Sequence, residues 1–286
     1  MIAVRRILAL SVLTALFVSC SGSTPPPATG SIATTPYPGH SLVWSDEFAA
    51  DSLDETHWNY LLGTGYNNDG SGWGNNELQY YRRENTRLAD GKLIITARKE
   101  NYENRSYTSS RLTTDDKQEI TFGRIDVRAK LPIGQGIWPA VWMLGADFPA
   151  TQGWPAAGEI DIMEYLGHKP NTLYGTVHYG RDYLENRRYR GDSTRIEGSE
   201  PFHTQYHTFS IDWRRDTIDW LLDGERYHRF TAAEAQRSGQ PYPFNAPQYL
   251  LINLAVGGNW PGSPDSTTQF PQELLVDYVR VYGLKE

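Results

Sequence analysis

The feature that most limits the folds open to this 286-residue chain is a set of short segments in which apolar and polar residues alternate. Alternation with a period of two predicts β-strands with one buried and one exposed face, because successive strand side chains point to opposite sides. The segments are rich in β-branched and aromatic residues and are bounded by Gly, Pro, Asn or Asp. They are residues 92–97, 124–129, 173–178, 208–213, 217–222, 249–255 and 274–282.

Turn signals and one short helix complete the prediction of secondary structure. Asp90-Gly91 and Asp223-Gly224 are typical of tight turns between strands. Residues 231–237 are the one good helix candidate, with Thr231 as the N-cap and Glu234 three residues later. Many short antiparallel strands in a single domain predict an all-β sandwich of two stacked sheets, with one sheet face free to hold an extended ligand.

Three carboxylates lie close together in residues 158–165. Glu159 and Asp161 alternate with aliphatic residues and therefore share one face of a predicted strand. In an unbroken strand Glu164 would lie on the opposite face. One extra residue, most simply Met163 in a β-bulge, returns Glu164 to the acidic face, and bulges are frequent beside active sites.

The acidic segment has two interpretations on spacing alone. It is either the solvated outer face of a strand, which explains most charged strand positions, or a catalytic cluster. Three like charges in a row oppose one another's ionisation and require a reason to be there. Trp154 and Tyr165 surround the carboxylates with aromatic rings, which favours the catalytic interpretation.

Aromatic and polar residues elsewhere fit a saccharide site. Trp138 and Trp142 precede the acidic strand and are either core or cleft residues, whereas Trp260 lies in a Gly- and Pro-rich segment that predicts a surface loop. Asn76 lies in another polar, glycine-rich segment. His178 is predicted on the strand beside the carboxylates, where it could hydrogen-bond one of them. Indole faces beside carboxylates suit pyranose rings.

Several other functions are disfavoured. The histidines show no metal-binding spacing, and the only cysteine precedes the folded domain, so a catalytic transition metal is not expected. A serine hydrolase is disfavoured because no Gly-x-Ser-x-Gly elbow is present. A net charge of −7 without a basic stripe argues against a nucleic-acid partner.

The N-terminal residues predict export. Arg5 and Arg6 precede an apolar run, 7–18, that is short for a membrane span and typical of a signal peptide. The run ends in a segment that resembles a lipobox, which implies cleavage before Cys20 and lipidation of its thiol. The predicted divisions are a lipoprotein signal peptide at 1–19, a Ser/Thr/Pro-rich tether at 20–40 and a folded domain at 41–286. These features predict an exported protein that this lipid holds at the outer membrane or cell surface. The alternative is a protein that is simply secreted.

Taken together, the motifs of residues 41–286 resemble glycoside hydrolase family 16, and within it the bacterial laminarinase-like endo-β-1,3-glucanases. The acidic segment matches the family signature Glu-x-Asp-x-x-Glu in its bulged form. Similar segments extend over nearly the whole domain, at 44–48, 75–81, 123–124, 138–144, 202–206, 213, 253–260 and 277–282.

The resemblance implies a β-jelly-roll sandwich with a concave cleft and a retaining hydrolysis of β-1,3-glucans. It implies that Glu159 is the nucleophile, that Glu164 is the general acid/base, and that Asp161 assists the nucleophile. The positions that it implies for the cleft are Asn76, Arg124, Trp138, Trp142, His178 and Trp260. It implies no cofactor for catalysis, and one structural calcium held mainly through backbone oxygens of Glu47, Gly91 and Asp277.

Alternatives remain open at this stage. Family relatives act on mixed-linkage glucan (lichenan), agarose or carrageenan, and some bind β-glucan without hydrolysing it, although those usually lose a catalytic glutamate. The chain is expected to be a monomer. The segments 62–75, 101–118 and 182–205 are predicted as long loops that decide whether the cleft is open for endo attack.

Overall fold

Two antiparallel sheets pack face to face in the structure, a computed structural model that describes residues 37–65, 72–147, 153–183, 185–196 and 201–285. Within these residues the strands, numbered β1 to β18 in chain order, are His40–Asp46, Asn59–Tyr60, Gln79–Tyr81, Thr86–Leu88, Leu93–Ala97, Tyr107–Ser109, Arg111–Thr113, Glu119–Ile120, Gly123–Lys130, Ile137–Gly145, Glu159–Tyr165, Thr172–Tyr179, Arg188–Arg195, His207–Arg214, Thr217–Leu222, Glu225–Thr231, Gln248–Val256 and Gln272–Leu284.

The strands form two large sheets in the described part of the chain. Sheet I has the order β16-β15-β14-β9-β18-β5-β4, with β1 also paired to β18. Sheet II has the order β13-β12-β11-β10-β17-β7-β2, with β8 also paired to β17. Along β12 every second residue is fully buried, so one face of sheet II packs on the core and the other is open. The predicted all-β sandwich is confirmed.

The helices are short. Two 3₁₀ turns lie at Gly72–Gly74 and Arg83–Asn85, and α1 spans Ala232–Arg237. The predicted cap of α1 is present: the Thr231 hydroxyl accepts the backbone N–H of Glu234, and the Glu234 carboxylate accepts the backbone N–H of Thr231. This reciprocal pair satisfies two donors that the first turn leaves without helical partners.

The folded domain begins before residue 41. The Tyr37 hydroxyl donates to Asp126 of β9 at 2.7 Å, and its ring packs edge-on against Tyr282 at 5.1 Å. Residues 37–40 therefore belong to the sandwich and not to the predicted tether, because an aromatic ring that is packed on a sheet is part of the fold. The signal peptide, Cys20 and the rest of the tether lie outside the described residues and stay predictions. No helix in the described ranges is long and apolar enough to span a bilayer.

The segments 101–118 and 182–205 are predicted as loops, but the first contains β6 and β7 and the second contains β13, an edge strand of sheet II. Most side chains of β13 are exposed, and its sequence, RYRGDSTR, has no apolar alternation. An edge strand that packs little apolar surface leaves no periodic pattern, which is why the sequence did not predict it.

β11 carries the predicted bulge. On the β12 side the pairing register shifts by one residue between Asp161 and Glu164. Two residues, Ile162 and Met163, therefore lie opposite the single Gly175, and a matching shift occurs on the β10 side. Both are fully buried in the core between the sheets. Two successive inward side chains return Glu164 to the outward face, so the prediction of a bulge is confirmed.

Trp220 of β15 supports the bulge from sheet I. Its indole Nε1 donates to the backbone oxygen of Asp161 at 2.7 Å. Gly175 makes this approach possible, because a Cβ there would collide with the indole of Trp220 and lie 2.5 Å from the hydroxyl of Tyr227. A bulge interrupts the ladder of strand hydrogen bonds, and Trp220 supplies a donor inside the core.

Replacing Trp220 with Phe is expected to lower the free energy of unfolding by about 1–3 kcal/mol, because it leaves the buried carbonyl of Asp161 without that donor. Urea unfolding measures the change. Trp44→Phe is the matched control, since the buried indole N–H of Trp44 has no partner among the described residues. Equal losses in the two variants would contradict a supporting role for the Trp220 hydrogen bond.

Candidate active site

The three carboxylates and His178 form one cluster on the open face of sheet II. His178 lies directly across from Glu159 in the β11–β12 pairing. Its Nε2 is 3.4 Å from Oδ2 of Asp161 and 3.9 Å from Oε1 of Glu159. The side chain of Glu159 is 18% exposed and that of Asp161 only 4%. The predicted contact between His178 and the acidic strand is therefore present.

Each outer carboxylate accepts a hydrogen bond from an indole. Nε1 of Trp154 donates to Oε2 of Glu159 at 2.7 Å, and Nε1 of Trp138 donates to Oε1 of Glu164 at 3.2 Å. These donors fix the carboxyl groups in place and put flat rings beside them. Trp154 was not among the predicted site residues. Its position in Gly153-Trp154-Pro155, shortly before Glu159, was the available signal.

Burial dominates the electrostatics of the cluster. It raises the pKa of Glu159 to about 7, with a further contribution from Asp161. It also raises the pKa of Glu164 well above its usual value, with Asp161 and Glu159 adding to the effect. The sequence predicted this direction from like-charge repulsion, but desolvation is the larger cause. Burial thus favours the protonated form of both Glu164 and Glu159.

His178 supplies the compensating positive charge. Burial alone would lower its pKa, but the close contact with Asp161 and the charges of Glu159, Asp161 and Glu164 raise it to about 9. The imidazolium favours ionisation of the neighbouring carboxyls. Ligand atoms of Glu159, Asp161 and His178 all lie within 4.8 Å of one another, but a protonated His178 cannot act as a ligand, so this set would bind a cation only with His178 neutral. Sequence spacing missed this set because it draws on two strands.

The cleft wall on the Glu164 side is aromatic. The Trp260 ring is 41% exposed and packs edge-on against Trp138 at 5.6 Å and Tyr174 at 4.9 Å. Asn76 lies beside the Trp260 loop, where its Nδ2 donates to Oδ1 of Asn259 at 2.8 Å. Three of the predicted cleft residues are thus adjacent to one another.

Trp142 lies on the floor of the cleft and is held by a buried network. Its Nε1 donates to Oδ1 of Asn253 at 2.8 Å, and Nδ2 of Asn253 donates to the hydroxyl of Tyr81 at 3.2 Å. That hydroxyl donates to the buried carboxylate of Glu77 at 3.1 Å. The guanidinium of Arg111 lies over the Trp142 ring. This hydrogen-bond network and the guanidinium therefore fix the orientation of the indole.

Arg124 is not a cleft residue, and that prediction is wrong. It lies on β9 of sheet I, where its Nε donates to Oδ1 of Asp126 at 2.7 Å and its guanidinium covers the ring of Tyr37. The neighbouring residue Ile125 points into the core, so Arg124 points away from it on the outer face of the other sheet. Alternation predicted the strand correctly but could not say to which sheet it belongs.

Two of the three predicted calcium ligands, Glu47 and Asp277, form ion pairs with arginines. The Glu47 carboxylate pairs with both Nε and Nη2 of Arg280, at 2.9 and 2.8 Å, and that of Asp277 pairs with Arg128. Gly91 lies in the turn before β5. A calcium ion at these residues would depend on backbone oxygens, because arginines occupy both carboxylates. The calcium site stays a prediction.

Comparison with known proteins agrees with this fold and site. Residues 72–280 match the family described as Glycosyl hydrolases family 16. A beta-glucanase from Rhodothermus marinus is 43% identical over 86% of this chain and 86% of its own length. The chain belongs to glycosyl hydrolase family 16.

Solved structures give the same result in three dimensions. The laminarinase catalytic domain of Thermotoga maritima MSB8 is 45% identical, with a TM-score of 0.81 over 86% of this chain and 99% of that domain. An endo-β-1,3-glucanase from Pyrococcus furiosus is 43% identical, with a TM-score of 0.80 over 86% of this chain and 95% of that protein. Sequence identity of this size over nearly the whole sandwich indicates a relationship within one family, and not only a shared fold.

Replacing Glu164 with Gln is expected to stabilise the fold, and more so as the pH rises. A carboxyl whose pKa is raised on folding costs stability between its unfolded pKa, near 4.5, and its higher folded pKa, since only the unfolded state ionises there. The variant lacks this cost. Its melting temperature should exceed that of the wild type by about 2–4 °C for each kcal/mol recovered.

Calorimetry at pH 5 and pH 8 separates this effect from a general one. Glu225→Gln, which removes an exposed carboxyl at the start of β16, is the control and should change the melting temperature little at either pH. A stability gain for Glu164→Gln that is the same at both pH values would contradict the assignment of a raised pKa.

Proposed function

We propose that this glycoside hydrolase cleaves internal β-1,3-glucosidic bonds of laminarin-type β-glucans by retaining double displacement, and that mixed-linkage β-1,3-1,4-glucan is a further substrate. The observation that carries the proposal is the common outward face of Glu159 and Glu164 on one bulged strand, each with its own indole donor. The family and the named activities of the similar proteins support the choice of glucan.

In the first step the carboxylate of Glu159 attacks the anomeric carbon while Glu164 gives its proton to the departing glycosidic oxygen. The glycosidic bond breaks and a glycosyl ester forms on Glu159. Burial favours the protonated form of Glu164 in the resting site, and the Trp154 N–H and the His178 cation favour the ionised form of Glu159. Asp161 pairs with His178, whose Nε2 is 3.4 Å from Oδ2 of Asp161, and so holds the imidazolium beside Glu159.

In the second step water replaces the ester. Once Glu159 is esterified it carries no charge, so one contribution to the raised pKa of Glu164 disappears. Glu164, now ionised, removes a proton from the incoming water, which attacks the anomeric carbon from the face that the leaving group occupied. The sugar keeps its β configuration. Side chains of the protein perform both steps, so the proposed mechanism uses no cofactor.

The shape of the site supports endo attack. The cleft residues cross sheet II from strand to strand, with His178 on β12, the carboxylates on β11, Trp142 on β10, Asn253 on β17 and Arg111 on β7. The substrate would therefore cross the strands, and five strand spacings from β13 to β7 correspond to about 24 Å. A groove of that length binds several sugar units at once.

Product analysis on laminarin tests this proposal. The expected result is early release of several oligosaccharide sizes with a rapid fall in viscosity, more product from laminarin than from lichenan, and none from agarose. Binding of laminarin without any new reducing ends would instead favour a non-catalytic glucan-binding protein. Release of glucose alone would contradict the endo mode.

Replacement of the two glutamates tests their separate roles. Glu159→Gln and Glu164→Gln are each expected to lower kcat/KM on laminarin at least about 1,000-fold, since each removes a group required for bond breaking. Azide should restore turnover of an activated aryl β-laminaribioside by Glu164→Ala and give the β-glycosyl azide, because it attacks the ester on Glu159. An α-glycosyl azide from this variant would exchange the two roles.

A further inference from the structure

An aromatic row leads from Glu159 to the edge of sheet II. His178 pairs across strands with Glu159, and Tyr189 of β13 pairs across strands with His178. The rings of His178 and Tyr189 have centroids 6.2 Å apart. Because neighbouring strands are about 4.8 Å apart, the backbone of Tyr189 lies about 10 Å from that of Glu159 across the strands. Tyr189 thus lies on the line that a glucan chain in the cleft would follow.

A second tyrosine continues the same surface. The ring of Tyr183 is 5.3 Å from that of Trp154, which in turn is 5.8 Å from the ring of His178. The guanidinium of Arg187 lies 5.5 Å from the Trp154 ring centroid and 5.2 Å from that of Tyr183. Since the indole of Trp154 also donates to Glu159, these rings form a continuous surface that begins at the carboxylate.

Both tyrosines are exposed. Tyr189 is 71% exposed and Tyr183 is 57% exposed, compared with 41% for Trp260 on the opposite side of the carboxylates. Scattered exposed aromatic residues are common on protein surfaces, but a contiguous set beside a reactive cluster is typical of a binding site. Among the described residues, the guanidinium of Arg187 forms no ion pair and lies over the rings of Trp154 and Tyr183, so its N–H groups can donate to a ligand.

We infer that Tyr183, Tyr189 and Arg187 form a further glucan-binding platform, here called the β13 platform, on the Glu159 side of the cleft. The inference rests on the proposed function and adds a substrate requirement to it: several glucose units must extend from Glu159 toward the edge strand. Pyranose C–H faces pack on the tyrosine rings, and the guanidinium donates to sugar hydroxyls. A tyrosine ring loses little conformational entropy when it binds, which suits such a role.

The test compares laminariheptaose with laminaritriose. Tyr189→Ala is expected to lower kcat/KM for the heptaose about fivefold, as expected for loss of an aromatic contact, and to change the value for the triose much less. Tyr189→Phe keeps the ring and should retain wild-type values on both substrates. Titration of the heptaose into Glu159→Gln, with and without Tyr189→Ala, should show a matching fivefold weakening of binding.

Tyr206→Ala is the matched control, because Tyr206 packs on Arg128 of β9 in sheet I, away from the cleft. It should leave the ratio of heptaose to triose kcat/KM unchanged. Equal losses on both substrates for Tyr189→Ala, or no loss on the heptaose, would overturn the platform. Failure of the wild-type protein to cleave either oligosaccharide would instead contradict the proposed function, so the two failures are distinguishable.

Discussion

Two consecutive core-facing side chains on one strand are the constraint on which the site depends. Ile162 and Met163 both enter the core, and this interruption of the strand period turns Glu164 outward beside Glu159. The core must then satisfy the interrupted backbone, which it does through the indole of Trp220 from the other sheet. The bulge therefore links the position of the surface carboxylates to the packing between the sheets.

The same arrangement makes the site electrostatically costly. Carboxyl groups that would be ionised in water are buried next to one another, and their charge is offset by a neighbouring imidazolium, two indole N–H groups and, for Glu159, the charge of Arg111. The same burial and charge repulsion also serve the chemistry, because they give Glu159 and Glu164 different tendencies to hold a proton. Their different surroundings, and not their chemical identity, distinguish an acid from a nucleophile.

Much of this structure follows from local sequence rules, and the exceptions have physical causes. Strand periodicity predicted the sandwich and required the bulge, and the cap at Thr231 followed from a short motif. The family resemblance placed Arg124 in the cleft wrongly, and alternation could not correct it, because alternation defines the two faces of a strand but not the sheet to which the strand belongs. Trp154 reaches Glu159 from a loop, and β13 is an exposed edge, so neither produces a periodic pattern that sequence analysis could detect.

The direction of the cleft relative to the strands has a consequence for how such proteins diversify. Because the ligand groove crosses the strands, each part of it is contributed by a different hairpin, while the reacting groups are confined to β11 and its neighbour β12. Insertions at the outer hairpins can lengthen, narrow or block the groove without changing the spacing of the carboxylates. New glycan preferences can thus arise by exchange of loops around an unaltered reaction centre.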